Sequence, residues 1–235
     1  MMRLDKFLND ILKLGRKDLH RIIKAGRVTV NGEVQSSPDH KIDEDADIIC
    51  LDGEEIVYRK FVYYMMNKPK GFITAMDDRR QATIADLIPK AVLDQNVFPV
   101  GRLDKDTTGL LLLTNDGQFA HRMISPKYSV EKVYHAGFDG HLREDSETLF
   151  KQGIRLDDGT ECLPARLDRT GEQECIVTVT EGKYHQVKRM IASVGGTVTS
   201  LHRDMIGGIP LDSELDPGEI RPLTDDELCI LMTLF

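Results

Sequence analysis

The chain has no tryptophan, only 6% aromatic residues and four cysteines among its 235 residues. Cys50, Cys162, Cys175 and Cys229 stand far apart, and no two form a CxxC pair. That spacing argues against a zinc ribbon and against a disulfide framework. It leaves each thiol the expected role of a small buried apolar group. No apolar run approaches the roughly 20 residues that cross a bilayer as a helix. The opening residues carry Asp5 and lack a signal-peptide pattern, so the cytoplasm is the expected compartment and no membrane is expected as a partner. There is no Walker A loop, no GxGxxG after a strand, no HExxH and no GxSxG. Tyr184, His185 and His202 are metal ligands by type, but their spacing matches no metal pattern. The expectation is therefore no metal and no cofactor. Neither an internal repeat nor a low-complexity tract is present.

What remains is 40% hydrophobic and 30% charged, the balance of an ordinary globular protein of one or two domains. The net charge of −8 is unevenly spread. Residues 1–30 hold eight basic side chains against three acidic ones; residues 31–58 hold one against nine, and residues 205–235 one against seven. A concentrated basic face steers a polyanion whatever the total charge. The plainer alternative is a pair of solvated helix faces.

Leu4, Phe7, Leu8, Ile11 and Leu12 have the spacing of an amphipathic helix, stopped near Gly15. Leu19, Ile22 and Ile23 predict a second helix ending near Gly26. Val28-Thr29-Val30 then runs into Asn31-Gly32, a strong hairpin signal, with a return strand from Val34 and another strand at 47–51. This predicts a small module over residues 1–58, with Asp52-Gly53-Glu54-Glu55 as its polar linker to a larger domain at 59–235. In the larger domain strands are expected at 61–66, 72–74, 97–100, 110–114, 130–138, 162–168, 174–180 and 197–201. Helices are expected at 83–93, 117–124, 143–152, around Val187 to Val194, and after the capping box Thr224-Asp225-Asp226-Glu227. Elements interspersed without regular alternation favour an α+β fold with a mostly antiparallel mixed sheet flanked by helices.

Between Val97-Phe98-Pro99-Val100 and Leu110-Leu111-Leu112-Leu113 lies Gly101-Arg102-Leu103-Asp104-Lys105-Asp106-Thr107-Thr108-Gly109. Two apolar strands joined by this turn hold the carboxylate of Asp104 beside Arg102 at a loop tip. That is a fitting place for a nucleophile or base. It is equally the description of a polar hairpin whose Asp bonds its own backbone. Further along, Val187, Met190 and Ile191 set the apolar stripe of a helix, so at least one of Lys188 and Arg189 points away from the core.

GRLDKDTTGLLLLTNDG resembles the catalytic segment of the pseudouridine synthases, in the branch that modifies ribosomal RNA. MRLDKFL, Asn67-Lys68-Pro69-Lys70-Gly71, EGKYHQVKRM at 181–190, Leu201-His202-Arg203 and Ile206-Gly207-Gly208 match the same family in order across nearly the whole chain. The first 58 residues resemble the alpha-L RNA-binding module, first known from a small-subunit ribosomal protein. The resemblance implies an isomerase that detaches uracil from its ribose, turns it and rejoins it through carbon, which needs no cofactor or energy input. It implies that Asp104 is essential and that Lys188 is its basic partner; a cation is what keeps a shielded carboxylate ionised, since burial alone raises its pKa. It places Tyr134 against the extruded uracil, and Arg102 in the space the flipped nucleotide leaves or on its phosphate. Arg3, Lys6, Arg16, Lys17, Arg21, Lys24, Arg27, Lys68, His185, Arg189, His202 and Arg203 are the expected RNA contacts. The form of EGKYHQVKRM is similar to enzymes that modify one uridine in small-subunit (16S) ribosomal RNA; a monomer and a partly assembled small-subunit particle as substrate are the accompanying expectations. A sister enzyme for large-subunit (23S) RNA, a non-catalytic RNA-binding assembly factor, and a glycosidase-like hydrolase with paired carboxylates are the alternatives. For the last, Asp106 lies too close in the loop to serve as second carboxylate.

Overall fold

The structure, a computed structural model, describes residues 1–44, 46–56 and 60–235. The chain packs as two units, Met1–Lys60 and Phe61–Phe235. The boundary expected between residues 58 and 59 lies outside the described residues.

The first unit runs β1 (Met2–Arg3), α1 (Leu4–Leu12), α2 (Arg16–Lys24), β2 (Val28–Val30), β3 (Glu33–Gln35), β4 (Lys41–Ile42), β5 (Ile49–Leu51) and β6 (Glu54–Glu55). Leu4, Phe7 and Leu8 of α1 meet Leu19 and Ile23 of α2 and the inward strand residues Val28, Val30, Ile42 and Ile49 in one core. The apolar spacing of both helices thus forms the contact that the sequence predicts. Asn31 and Gly32 both have positive φ, 52° and 84°, and turn β2 into β3. The stretch 52–55 is not a linker. Asp52 and Gly53 take the same kind of turn, at φ 54° and 88°, and Glu54–Glu55 return to pair with β5. Asp-Gly is as good a hairpin signal as Asn-Gly; two exposed glutamates with no alternation hide the returning strand.

The second unit continues with β7 (Tyr63–Lys68), α3 (Lys90–Leu93), β8 (Phe98–Pro99), β9 (Thr108–Thr114), α4 (Gly117–Ile124), β10 (Lys132–Gly140), α5 (Ser146–Gln152), β11 (Arg166–Arg169), β12 (Glu174–Val179), α6 (Gln186–Ser193), β13 (Gly196–Ile206), β14 (Ile209–Pro210), β15 (Ile220–Pro222) and α7 (Asp225–Met232). Among the described residues its strands form a nine-stranded sheet whose main path is β11-β12-β10-β13-β9-β7-β15, with β14 on β13 and β8 on β9. Only β9 and β13 pair parallel; the other pairs in this sheet are antiparallel. The α+β class with a mostly antiparallel sheet is the architecture observed.

The leucine run 110–113 is buried because β9 is covered on both faces. Leu111 and Leu113 enter the core with Met66, Phe138, Phe150 and Met190, whereas Leu110 and Leu112 enter the opposite core with Phe119, Met123 and Leu231. Three expectations fail here. Among the described residues, 72–74 make only a single bridge, Ile73 to Thr83; the Ile73 carbonyl accepts from both Ala75 and Ile84, which is a turn and not a ladder. The helix expected over 83–93 splits at Pro89 into a 3₁₀ turn at Ile84–Leu87 and the single turn of α3. Of the cysteines, Cys162 and Cys175 are buried, but Cys229 is exposed and Cys50 only half-buried. Among the described residues no helix is long and apolar enough to cross a membrane.

Candidate active site

Asp104 lies on the loop between β8 and β9, and the backbone around it is clamped from two sides. Lys68 at the end of β7 is fully buried, and its ammonium donates to the carbonyls of Asp104 (3.1 Å), Thr107 (2.9 Å) and Pro69 (3.1 Å). Burial pulls the Lys68 pKa down to about 8, against the pull of Asp106 and Asp104. Thr74 accepts from the Leu103 amide at 3.1 Å and donates to the Leu103 carbonyl at 2.7 Å. The loop is held by its main chain, which leaves the Asp104 carboxylate free to act. Lys68 was expected on RNA; full burial makes it a brace of the loop instead.

The carboxylate meets the first turn of α6. Lys188 Nζ is 3.1 Å from Asp104 Oδ2 and 2.5 Å from Asp106 Oδ1. Burial alone would lower the Lys188 pKa; Asp106 and Asp104 together outweigh it and hold the ammonium above its ordinary value. The hydrogen bond from Lys188 in turn depresses Asp106. His185, in left-handed conformation (φ 47°) at the start of α6, brings Nε2 to 3.6 Å from Asp104 Oδ1. Its ring stacks on exposed Tyr184 at 3.9 Å between centroids. Arg189, the other basic residue of this turn, pairs with Asp158 at 2.5 Å. Asp106, two residues from Asp104 on the same loop, thus shares Lys188 with it.

Tyr134 of β10 forms the inner wall. It is 9% exposed, and its hydroxyl accepts from Arg203 Nη1 at 3.2 Å. Arg203 of β13 sits opposite Tyr134 in the ladder, beside a register shift between Val133 and Tyr134. Such bulges re-aim side chains next to sites. Arg203 is 3% exposed and also donates Nε to the Leu110 carbonyl at 2.7 Å. It is expected as an RNA contact; its burial keeps it from the polymer backbone and leaves it only the cavity to face. The close approach of β13 requires Gly109, whose φ is 99°; a Cβ there would lie 2.4 Å from the Arg203 carbonyl oxygen. His202, its neighbour, faces the other way and places Nδ1 2.8 Å from the Thr108 hydroxyl.

These groups surround a cavity of about 640 Å³, lined by Arg102, Asp104, Lys132, Tyr134, His185 and Arg203 among others. That volume admits one nucleotide. Arg102 is exposed at the cavity and, among the described residues, makes no ion pair; the nearby carboxylate of Asp106 is taken by Lys188. Lys132 was missed in the sequence. It is 8% exposed, with a pKa drawn down to about 8 by burial and then by the charge of Arg203. Its signals were its place two residues before Tyr134, on the same face of the strand, and the Lys-x motif that precedes that tyrosine in the family the chain resembles. Among the described residues no three His, Cys, Asp or Glu side chains gather as metal ligands.

In the first unit, Lys6, Arg16, Lys17 and Lys24 are exposed and, among the described residues, make no ion pair. Arg3, Arg21 and Arg27 are each paired, with Asp5, Asp18 and Asp52.

Comparison with known proteins gives this geometry its context. The model of the RNA pseudouridylate synthase family matches residues 62–193, and that of the S4 domain matches residues 2–48. A ribosomal small subunit pseudouridine synthase A of Vibrio cholerae is 44% identical over 230 residues, spanning 97% of this chain and 98% of its own. The protein of that name from Escherichia coli K12 is 39% identical over 229 residues, with the same coverage of 97% and 98%. An uncharacterized RNA pseudouridine synthase of Bacillus subtilis is 41% identical over 98% of both chains. A crystal structure of a pseudouridylate synthase superposes with a TM-score of 0.69 at 37% identity, over 98% of this chain and 100% of that one. A carboxylate on a braced loop facing a nucleotide-sized cavity thus stands in a chain that belongs, over its second unit, to the RNA pseudouridylate synthase family and that begins with an S4 domain.

Proposed function

We propose that this protein converts one uridine of 16S ribosomal RNA to pseudouridine, with residues 1–58 binding RNA and residues 59–235 carrying the chemistry. The observation that carries the reading is Asp104, set on a backbone braced by Lys68 at the edge of a cavity walled by Tyr134. A uridine turned out of its helix enters that cavity and stacks on Tyr134. Asp104 acts as nucleophile or base, and Lys188 keeps a positive charge beside it. Arg102, exposed and without an ion pair among the described residues, takes the phosphate or the space that the extruded nucleotide leaves. The unpaired cations Lys6, Arg16, Lys17 and Lys24 hold the RNA backbone, where charge neutralisation supplies sequence-independent affinity.

The choice of small-subunit RNA rests on whole-length similarity to relatives named for that substrate. The reading includes a monomer working in the cytoplasm on a partly assembled small-subunit particle. Chemical mapping of pseudouridine in ribosomal RNA from cells with and without the protein tests it. Loss of one 16S pseudouridine is the expected result. Loss of a 23S site would assign the large-subunit alternative, and an unchanged map would leave an RNA-binding protein without turnover.

A further inference from the structure

The floor of the cavity carries two buried cations with no counterion. Lys132 and Tyr134 are two residues apart on β10 and share a face, and Arg203 is the cross-strand partner of Tyr134. Lys132 is 8% exposed and Arg203 3%. Lys132 Nζ donates to the Val130 carbonyl at 2.8 Å, which leaves two of its three N–H groups unused. Arg203 Nη2 is buried and, among the described residues, has no hydrogen-bond partner. Among the described residues, no carboxylate pairs with either. Two such charges are costly to hold in a poorly hydrated site unless something negative visits it.

We propose that Lys132 and Arg203 form an anion-stabilising floor that holds the detached uracil while it turns. The inference rests on the reading of the cavity as the seat of a flipped uridine. When the bond between C1′ and N1 breaks, its electron pair leaves with the base. The ring then carries a negative charge spread over N1, O2 and O4, and Asp104 meets the electron-poor C1′. The pair returns as a new bond between C5 and C1′. The C5 hydrogen leaves as a proton and N1 gains one, so the change is an isomerisation that needs no oxidant or reductant. Between the two bonds the base is an anion and needs preorganised donors. Lys188 cannot serve, since two carboxylates occupy it, and Lys68 is spent on three carbonyls. Phosphates stay on the polymer and meet exposed Arg102 and Lys105; only the inserted base reaches the floor. The depressed pKa of Lys132 agrees with a cation waiting for its anion.

The test is single-turnover cleavage of the N-glycosidic bond in RNA carrying either uridine or 5-fluorouridine at the target. Lys132→Met should slow the uridine substrate by about 100-fold, the effect of removing one preorganised donor, with RNA affinity unchanged. Fluorine at C5 stabilises the ring anion, so the loss on 5-fluorouridine should be clearly smaller, and Lys132→Arg should recover part of the rate. Equal losses on both substrates, or no loss, would overturn the proposal. Should Lys132→Met fail to fold, the unaltered protein still decides. 5-Nitrouracil, an anion at neutral pH, should inhibit better than neutral uracil, and equal inhibition would overturn the floor. Asp104→Asn run alongside separates the two ideas. If it is inactive while Lys132→Met keeps full rate, only the floor fails; if it turns over, the reading of the cavity fails with it.

Discussion

The ammonium of Lys188 lies closer to Asp106 than to Asp104, at 2.5 Å against 3.1 Å. The cation beside the reactive carboxylate is therefore shared, and its charge state depends on both neighbours. Burial works to deprotonate Lys188, and Asp106 is the first of the carboxylates that oppose it. Asp106→Asn should leave Lys188 with one anion and lower its pKa. The alkaline limb of the single-turnover rate should then move to lower pH, with RNA affinity little changed. Lys188→Met should lose most activity at every pH, and Lys188→Arg should retain more, because charge survives even where geometry suffers. An alkaline limb in Asp106→Asn identical to that of the unaltered chain would show that Lys188 owes nothing to Asp106.

Asp104→Asn is expected to abolish isomerisation and to leave RNA binding nearly intact. The amide has nearly the shape of the carboxylate but acts neither as nucleophile nor as base. The loop keeps its position because Lys68 and Thr74 grip the main chain, not the Asp104 side chain. Tritium release from RNA labelled at uracil C5, measured beside a binding isotherm, checks both halves. Turnover close to that of the unaltered chain would remove Asp104 from the mechanism.

The parts legible in the sequence were those with a local cause. Asn31-Gly32 turns a hairpin by its own φ preference, and Thr224-Asp225-Asp226-Glu227 caps α7 within four residues. The alternating burial of Leu110 to Leu113 needs only strand periodicity and two covered faces. What escaped depended on distant partners. Lys68 reads as a surface lysine in a polar turn until the Asp104 loop folds over it. Arg203 reads as a basic residue in a strand until β9 and β10 close on both sides of it. Asp106 was discounted because of its closeness to Asp104 in sequence, yet that closeness lets one lysine serve both. Resemblance points to Asp104 and Tyr134 and gives Lys188 as the basic partner of Asp104; that Asp106 shares the same ammonium is visible only in the folded chain.

The pairing pattern of the first unit separates its cations into two sets. Arg16, Lys17 and Lys24 are unpaired among the described residues, whereas Arg21 and Arg27 already hold carboxylates. Replacing the first three with alanine should reduce the slope of log affinity against log salt by about 2, at roughly 0.7 for each phosphate no longer neutralised on single-stranded RNA. Replacing Arg21 and Arg27 should change it less, since each must leave a partner before it meets a phosphate. Fluorescence anisotropy across a salt series measures both slopes. Equal changes per residue in the two sets would show that ion pairing on this face does not govern RNA binding.

The two buried lysines of the second unit predict how stability follows pH. Lys68 and Lys132 have pKa values near 8 when folded, against 10.5 as the ordinary value, both chiefly through burial. Between those limits the unfolded chain binds more protons than the folded one, so their contribution to stability grows as pH rises above 8. Groups raised by burial act in the opposite sense at higher pH. Cys175, pushed up to about 11 from 9.0, begins to cost stability above pH 9, and Tyr63, held above its ordinary value of 10.0 by burial and Asp116, follows above pH 10. The lysines therefore dominate between pH 8 and 9. The urea midpoint should rise across that interval with an unchanged m-value, and Lys132→Met, which removes one of the two titrations, should flatten the rise without abolishing it. A midpoint that falls from pH 8 to 9, in the unaltered chain, would mean that these ammonium groups are hydrated in solution and that the cavity floor is not the dry, cationic surface described above.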